Sequence, residues 1–162
     1  MRHPPTSTHP GLHPGTHPDA SCGTQVTVHY HQVTGRLAGA GPVLAILTGS
    51  PADLAVAQAA AGWAAGTGSR VVAATVVTHT GFSLNPLLHQ VRASRYEADS
   101  LAITARVFPV LTAAGVVWLR TLVAVPGRRG PARAPLLSAI RRLIDRFAAV
   151  AVVTTTPQHD NG

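Results

Sequence analysis

The feature that most constrains this fold is an alternation of apolar runs and helical stretches across residues 41–157. The apolar runs, which we predict to be strands, cover residues 43–48, 70–78, 116–125 and 150–156. Continuous apolar strands joined by helices indicate a parallel sheet that is covered on both faces. We therefore predict an α/β fold, a three-layer sandwich whose mainly parallel sheet has four or five strands and carries helices on both faces. In such sheets a ligand binds at the carboxyl ends of the strands, where a tight turn opens a helix.

The composition predicts four segments along the chain. Residues 1–24 are a His- and Pro-rich leader, 25–41 an extra strand and linker, 42–157 the α/β domain and 158–162 a tail. The leader repeats His-Pro and has few apolar side chains, so we expect it to be disordered. A metal-binding His tract is the alternative interpretation, but a flexible tract lacks the fixed geometry of a tight site.

The segment that follows the leader alternates between apolar and polar residues. Val26, Val28 and Tyr30 would face one side, while His29 and His31 would face the other. This pattern predicts a half-buried strand, which either extends the sheet at its edge or contacts a partner. The two histidines could ligate a metal only with a third ligand, and no carboxylate or thiol is suitably placed nearby. We therefore predict a polar strand face and no metal site.

Several residues predict where the helices and strands begin and end. Ser50 is a favourable N-cap, and Asp53 three residues later could complete a capping box. Gly66 and Gly68 should close this first helix after about Ala65, and Gly115 should end the long middle helix. Pro109 should kink the long middle helix or break its last turns. Arg120, inside the third apolar run, suggests an edge strand with this side chain facing solvent.

Composition narrows the functional class. The chain has 162 residues, 46% of them apolar, which suffices for one domain with a sizeable core. No apolar run is long enough to span a bilayer, and the N-terminus lacks a signal-peptide pattern, so we predict a cytoplasmic protein and no membrane partner. The single cysteine, Cys22, rules out an internal disulfide framework. The formal charge of +7 is carried by arginine without any lysine, a bias typical of GC-rich coding, so charge alone does not predict a nucleic-acid partner.

The layout VLAILTGSPADLAVAQAAAGWAAGTGSRVVAATVV resembles the universal stress protein family. In both, a strand ends in a turn that contains Ser, an Ala-rich helix follows the turn, and a Gly connects this helix to a second apolar strand. The resemblance continues through a long helix, a third strand ending in VPG, an amphipathic helix and a fourth strand. It implies a fold similar to adenine-nucleotide-binding domains, with ATP or another adenine nucleotide as ligand and a homodimer as assembly.

Two differences from the family pattern accompany the resemblance. ATP-binding members carry Asp at the end of the first strand, where this chain has Thr48. After the fourth strand they also carry a motif in which Gly-x-x-Gly is followed, after nine intervening residues, by Gly-Ser or Gly-Thr. Many family members dimerise through a fifth strand. We therefore expect a shortened member that has a degenerate ATP motif and lacks the phosphate-cradling loop.

The predicted binding site lies at the carboxyl ends of the strands and has three parts. A turn after the first strand offers backbone N–H groups at a helix N-terminus. Hydroxyls follow the fourth strand, and the resemblance implies that this strand neighbours the first. A Gly-Arg step follows the third strand. The predicted ligand-binding residues are Thr48, Gly49, Ser50, Gly127, Arg128, Thr154, Thr155 and Thr156. The alternatives are a simple capped turn and ordinary strand threonines.

A run of six arginines between Arg128 and Arg146 gives the main alternative function. It could contact nucleic acid or an acidic protein, but it has no interleaved aromatic residues and no helix-turn-helix spacing, so nucleic acid is not favoured. The alternative interpretation is that these arginines lie on a solvent-exposed loop and helix face without a partner.

Catalytic motifs are missing from the sequence, and Glu97 and Asp99 point to different faces of one helix. We therefore predict no catalytic residues and a non-enzymatic stress-response or regulatory module that binds a nucleotide weakly. A basic interaction module is the alternative, followed by a phosphotransfer or nucleotide-hydrolysing enzyme.

Overall fold

The computed structural model describes residues 26–79, 86–126 and 133–155. In chain order the elements are β1 (Val28–Gln32), β2 (Val43–Leu47), α1 (Asp53–Thr67), β3 (Val71–His79), α2 (Pro86–Ala113), β4 (Trp118–Pro126), α3 (Arg133–Phe147) and β5 (Ala151–Thr155). The five strands form one sheet in the order β1-β5-β2-β3-β4. The pairs β5-β2, β2-β3 and β3-β4 are parallel, and β1 lies antiparallel to β5.

The core lies on both faces of this sheet, because alternate residues of each central strand point to opposite sides. Val43, Ala45 and Leu47 of β2 pack with residues of α1 and α2 on one face. Leu44 and Ile46 pack with residues of α3 on the other. All five residues of β2 are buried. The predicted three-layer α/β sandwich is therefore confirmed.

Strands β2 and β5 are neighbours in the middle of the sheet, as the proposed shared site requires. Val43 lies beside Ala151, and Ala45 lies beside Val153, in parallel register. Strand β5 is reached from β4 by a connection that passes back over β3 and β2, so the order of the strands reverses at β2. In sheets of this kind the reversal creates a crevice beyond the carboxyl ends of the strands.

Strand β1 confirms the alternating pattern of its sequence. Val28 packs against the core on the α1 side, and the Tyr30 ring lies 5.5 Å from that of Trp63 in α1. His29 and His31 face the opposite side, with their ring centroids 6.2 Å apart. The strand extends the sheet at its edge beside β5, which was one of the two predicted alternatives.

Three local predictions are wrong, wholly or in part. Helix α1 begins at Asp53 with Ala52 as its N-cap, so Ser50 does not cap it; Asp53 instead turns back to the preceding turn. Helix α2 continues through Pro109 to Ala113, so the predicted break is absent, while a kink at Pro109 stays a prediction. The buried Val107 and Leu111 pack the last turns of α2 on the core. Arg120 does lie on an edge strand, but its side chain is only 29% exposed and pairs with a glutamate of α2.

Two predicted glycines do end helices, although α1 continues through Gly66 to Thr67 before it closes. Gly68 adopts a left-handed conformation, φ 69°, and closes α1, and Gly115 follows α2 with φ 65°. A left-handed residue at a helix end favours glycine because a Cβ would be strained there.

Some predictions concern residues that lie outside the described ranges. These are the leader, the tail, Gly127, Arg128 and Thr156. Within the described ranges, every helix is too short or too polar to cross a bilayer.

Candidate functional site

The turn after β2 lies at the carboxyl edge of the sheet and contains three of the predicted ligand-binding residues. Thr48 and Gly49 are exposed, and Ser50 is half-buried. Gly49 has a φ of 85°, and a Cβ added there would lie 3.4 Å from Cδ1 of Ile103 in α2. The backbone therefore needs glycine at this position for its conformation, while the contact with α2 is tolerable.

The N–H groups of this turn donate to a carboxylate of the chain itself. Thr48 N–H donates to Oδ1 of Asp53 over 3.0 Å, and Gly49 N–H donates to Oδ2 over 2.8 Å. The hydroxyls of Thr48 and Ser50 lie farther from Oδ1, at 3.5 and 3.4 Å. Asp53 is 2% exposed. The turn thus has the anion-binding geometry that the sequence predicts, but its anion is the Asp53 carboxylate.

A single described cation borders this buried carboxylate. Nη2 of Arg106, on α2, lies 3.5 Å from Oδ2 of Asp53, and its side chain is 48% exposed. The sequence predicts that Asp53 completes a capping box with Ser50, and it predicts no role for Arg106. Asp53 carries a local signal, since an aspartate four residues after a glycine turn can reach back to its N–H groups. Arg106 carries none, because only the packing of α2 on α1 brings it there.

A cleft of about 490 Å³ opens beside the turn, between the carboxyl ends of β2 and β3 and the helices α2 and α3. Its lining residues are Thr48, Val76, Val77, Thr78, Asp99, Ala102, Ile103 and Leu136. Most of this wall is apolar, with two hydroxyls and one carboxylate at its polar positions. Such a lining suits a ring with hydrogen-bonding groups, and a carboxylate accepts bonds from hydroxyl or amino groups rather than from phosphate oxygens.

The threonines of β5 lie near this edge but do not line the cleft. Thr154 and Thr155 are half-buried and pair with His29 and Val28 of β1. The Thr154 hydroxyl donates to the Thr155 carbonyl over 3.3 Å. Of the predicted residues, the structure therefore places Thr48 in the cleft wall, with Gly49 and Ser50 in the adjoining turn.

A second cleft, of about 420 Å³, lies at the opposite edge of the sheet, beside the amino ends of the strands. Segments 39–41 and 68–70 form most of it. Arg70 is the charged residue in its lining, and the rest of the lining is mostly backbone and small side chains. In the described part of the chain, no three His, Cys, Asp or Glu residues come together as metal ligands could.

The chain matches no protein-family model and no curated protein. Among solved structures, it is similar to a protein from the universal stress protein family from Burkholderia pseudomallei, with a TM-score of 0.47 and 22% identity over 70% of this chain and 80% of that one. It is also similar to a universal stress protein in complex with cAMP, with a TM-score of 0.43 and 20% identity over 68% and 73%.

Proposed function

We propose that this chain is a non-enzymatic, regulatory domain of the universal stress protein type that binds an adenine nucleotide weakly. The observation that carries the proposal is the cleft of about 490 Å³ at the carboxyl ends of β2 and β3. The cleft lies at the carboxyl ends of the strands, where open α/β sheets bind ligands, although beside β3 and not between β2 and β5, where the strand order reverses. Its volume falls within the range typical of small-molecule sites.

The apolar and polar parts of the cleft would contact different parts of the ligand. Ile103 and Leu136 offer an apolar wall on which a base can lie, and Asp99 can accept a hydrogen bond from a ribose hydroxyl or an amino group. The phosphate would approach the turn at Thr48 and Gly49. There it competes with Asp53 for the same N–H groups, and this competition is the reason for weak affinity.

Further residues could contact the phosphate because of where they lie. Arg106 is half-exposed beside Asp53 and can turn toward an anion, at the loss of its ion pair with that buried carboxylate. Thr154 and Thr155 end β5 at the same edge of the sheet as the turn, while Gly127, Arg128 and Thr156 lie outside the described ranges and stay predicted ligand contacts.

A binding role fits the cleft better than a catalytic one. Asp99 is the one titratable side chain among its described lining residues, and general acid–base chemistry needs a second group in reach. The Thr48 hydroxyl of the wall lies 3.5 Å from Oδ1 of Asp53, but that carboxylate is already occupied by two backbone N–H donors and by Arg106.

Calorimetric titration with ATP and with cAMP tests the proposal. We expect dissociation constants near millimolar, which correspond to about −4 kcal/mol. Ala102→Trp fills the cleft from an exposed helix position and should weaken binding at least tenfold, whereas Ala59→Trp, on the exposed face of α1, should leave it unchanged. No binding by the unaltered chain up to millimolar nucleotide, or equal binding by Ala102→Trp, would refute a nucleotide site in this cleft.

The alternative, a basic interaction module, is supported by the outer face of α3. Arg141, Arg142 and Arg146 are exposed, and the guanidinium of Arg146 lies 5.5 Å from the Phe147 ring centroid. A gel shift with duplex DNA across a salt series tests it, because phosphate contacts make the affinity fall with salt. Arg141→Gln with Arg142→Gln should weaken such binding, and Arg70→Gln is the control, because Arg70 is exposed but lies directly before β3 and not on α3.

A further inference from the structure

Helix α2 carries an exposed stripe of small and apolar residues along the side nearest β4. The stripe consists of Val91, Ser94, Ala98, Leu101, Ala105 and Phe108. Their spacings alternate between three and four residues, which places them on one line of a helix, as in a coiled-coil seam. Val91, Leu101 and Phe108 are 65%, 53% and 51% exposed. The helix also contains five charged residues, and none of them lies on the stripe.

The stripe adjoins an open edge of the sheet. Strand β4 ends the sheet, and within the described ranges no strand pairs with its outer side. The Phe108 ring meets that of Trp118 at the start of β4 edge-on, with centroids 5.9 Å apart. Glu97 of α2 pairs with Arg120 of β4. Stripe and edge therefore form one surface, with α2 above the sheet and β4 within it.

The two edges of the sheet differ in how well they resist pairing. Strand β1, at the far edge, has five residues, including His29, His31 and Gln32. Strand β4 has nine residues, and Arg120, its one charged residue, is engaged with Glu97. Short polar edge strands resist pairing with another chain, whereas long apolar ones favour it. In addition, Nη1 of Arg120 is buried without a hydrogen-bond partner among the described residues.

The stripe is self-complementary about its centre. An antiparallel copy centred between Ala98 and Leu101 sets Ala98 against the partner's Leu101, Ser94 against the partner's Ala105, and Val91 against the partner's Phe108. Each pair joins a smaller residue to one of equal or larger size, so the two helices can interlock. Closed two-fold dimers require this property, since the same patch serves both subunits.

The centre of the strand edge falls at the same height as the centre of the stripe. From Phe108, beside Trp118, the stripe centre lies roughly 13 Å along the helix at 1.5 Å per residue. The same length corresponds to about four residues of a strand. Four residues beyond Trp118 is Leu122, the middle of β4. One two-fold axis can therefore pair β4 with its copy over its full length and bring the two stripes together above it.

We propose that this surface is a homodimer interface, in which β4 pairs antiparallel with the partner's β4 and the α2 stripes pack against each other. The two sheets then form one sheet of ten strands. The stripe and the strand edge are each roughly 25–30 Å long. With a width of about 10 Å each, they bury about 1,100 Å² in total, which exceeds the roughly 1,000 Å² expected of a specific interface. This inference does not depend on the proposed nucleotide site.

Sedimentation equilibrium of the full chain, from low to high micromolar concentration, tests the interface. We expect the unaltered chain to form dimers. Leu101→Glu places a carboxylate opposite the partner's Ala98, and should weaken dimerisation roughly 100-fold, since an unpaired charge is costly in a buried contact. Leu54→Glu is the matched control, because Leu54 is 45% exposed on α1, away from the surface, and its variant should still dimerise.

Ala105→Glu and hydrogen exchange separate loss of the interface from loss of the fold. Ala105 is exposed and glutamate is a good helix former, so this variant should fold normally and also be monomeric. Amides of β4 should exchange faster in both stripe variants than in the dimer, while those of the buried β2 stay protected. A monomeric unaltered chain would overturn the proposal, and so would a dimer that both stripe variants leave intact.

Discussion

Replacing Asp53 by alanine should show how far this buried carboxylate holds the turn after β2 in place. The carboxylate accepts two backbone N–H bonds, at 3.0 and 2.8 Å. Hydrogen bonds to a charged group contribute about 1.5–3 kcal/mol each, and we take the lower value because water can reach the exposed Thr48 and Gly49 in the variant. The ion pair with Arg106 adds at most about 0.5 kcal/mol, since that side chain is 48% exposed. The hydroxyl contacts are too long to add much.

Asp53→Ala should therefore lower the free energy of unfolding by about 3 kcal/mol, or Tm by about 6–12 °C for a chain of this size. Urea unfolding followed by circular dichroism measures the change. The control is Asp145→Ala: Asp145 lies 4.0 Å from Arg36, but its side chain is 81% exposed. Its loss should change stability by less than about 0.5 kcal/mol.

Added formate gives the prediction a second readout. The alanine variant leaves room for a small carboxylate against the freed N–H groups, and a ligand that binds only the folded state stabilises it. Formate should therefore raise the Tm of Asp53→Ala more than chloride does at equal ionic strength, and more than it raises that of the unaltered chain. A loss of stability no greater than in Asp145→Ala would show that these contacts do not hold the turn.

Four further substitutions test the packing, each by urea unfolding. Gly41→Ala should lower the free energy of unfolding by about 2–3 kcal/mol, because the added Cβ would lie 2.4 Å from the Ala148 carbonyl oxygen. A Cβ at Gly62 would have nothing within 4 Å, so Gly62→Ala should instead raise the free energy of unfolding by about 0.5–1 kcal/mol. Pro109→Ala should stabilise by about 1–3 kcal/mol, since α2 already continues through this residue; no gain would mean that helix strain at Pro109 is relieved elsewhere. Leu44→Ala, at 0% exposure, should cost about 2–5 kcal/mol, and a smaller loss would contradict a closely packed core beneath α3.

The candidate site was predictable in place but not in its contacts. The apolar runs and the turn at Thr48 locate the carboxyl edge of the sheet, and the structure has its cleft there. The use of the turn's N–H groups by Asp53 depends on where α1 begins, and that start differs from the predicted cap by only a few residues. The cleft wall comes from α2 and from Leu136 of α3, which the sequence separates from Thr48 by dozens of residues.

The order of strands and helices, the burial of β2 on both faces, and the glycines that follow α1 and α2 are properties of the sequence alone. They arise from periodicity and backbone preference within a few neighbouring residues, and those signals are local. Only the tertiary structure decided that Asp53 accepts the turn's N–H groups and that Arg106 lies beside it. It also decided that Ala98 and Leu101 are exposed next to a strand edge with which no described strand pairs. Each of these depends on which distant segment packs against a residue, and no local pattern encodes that choice.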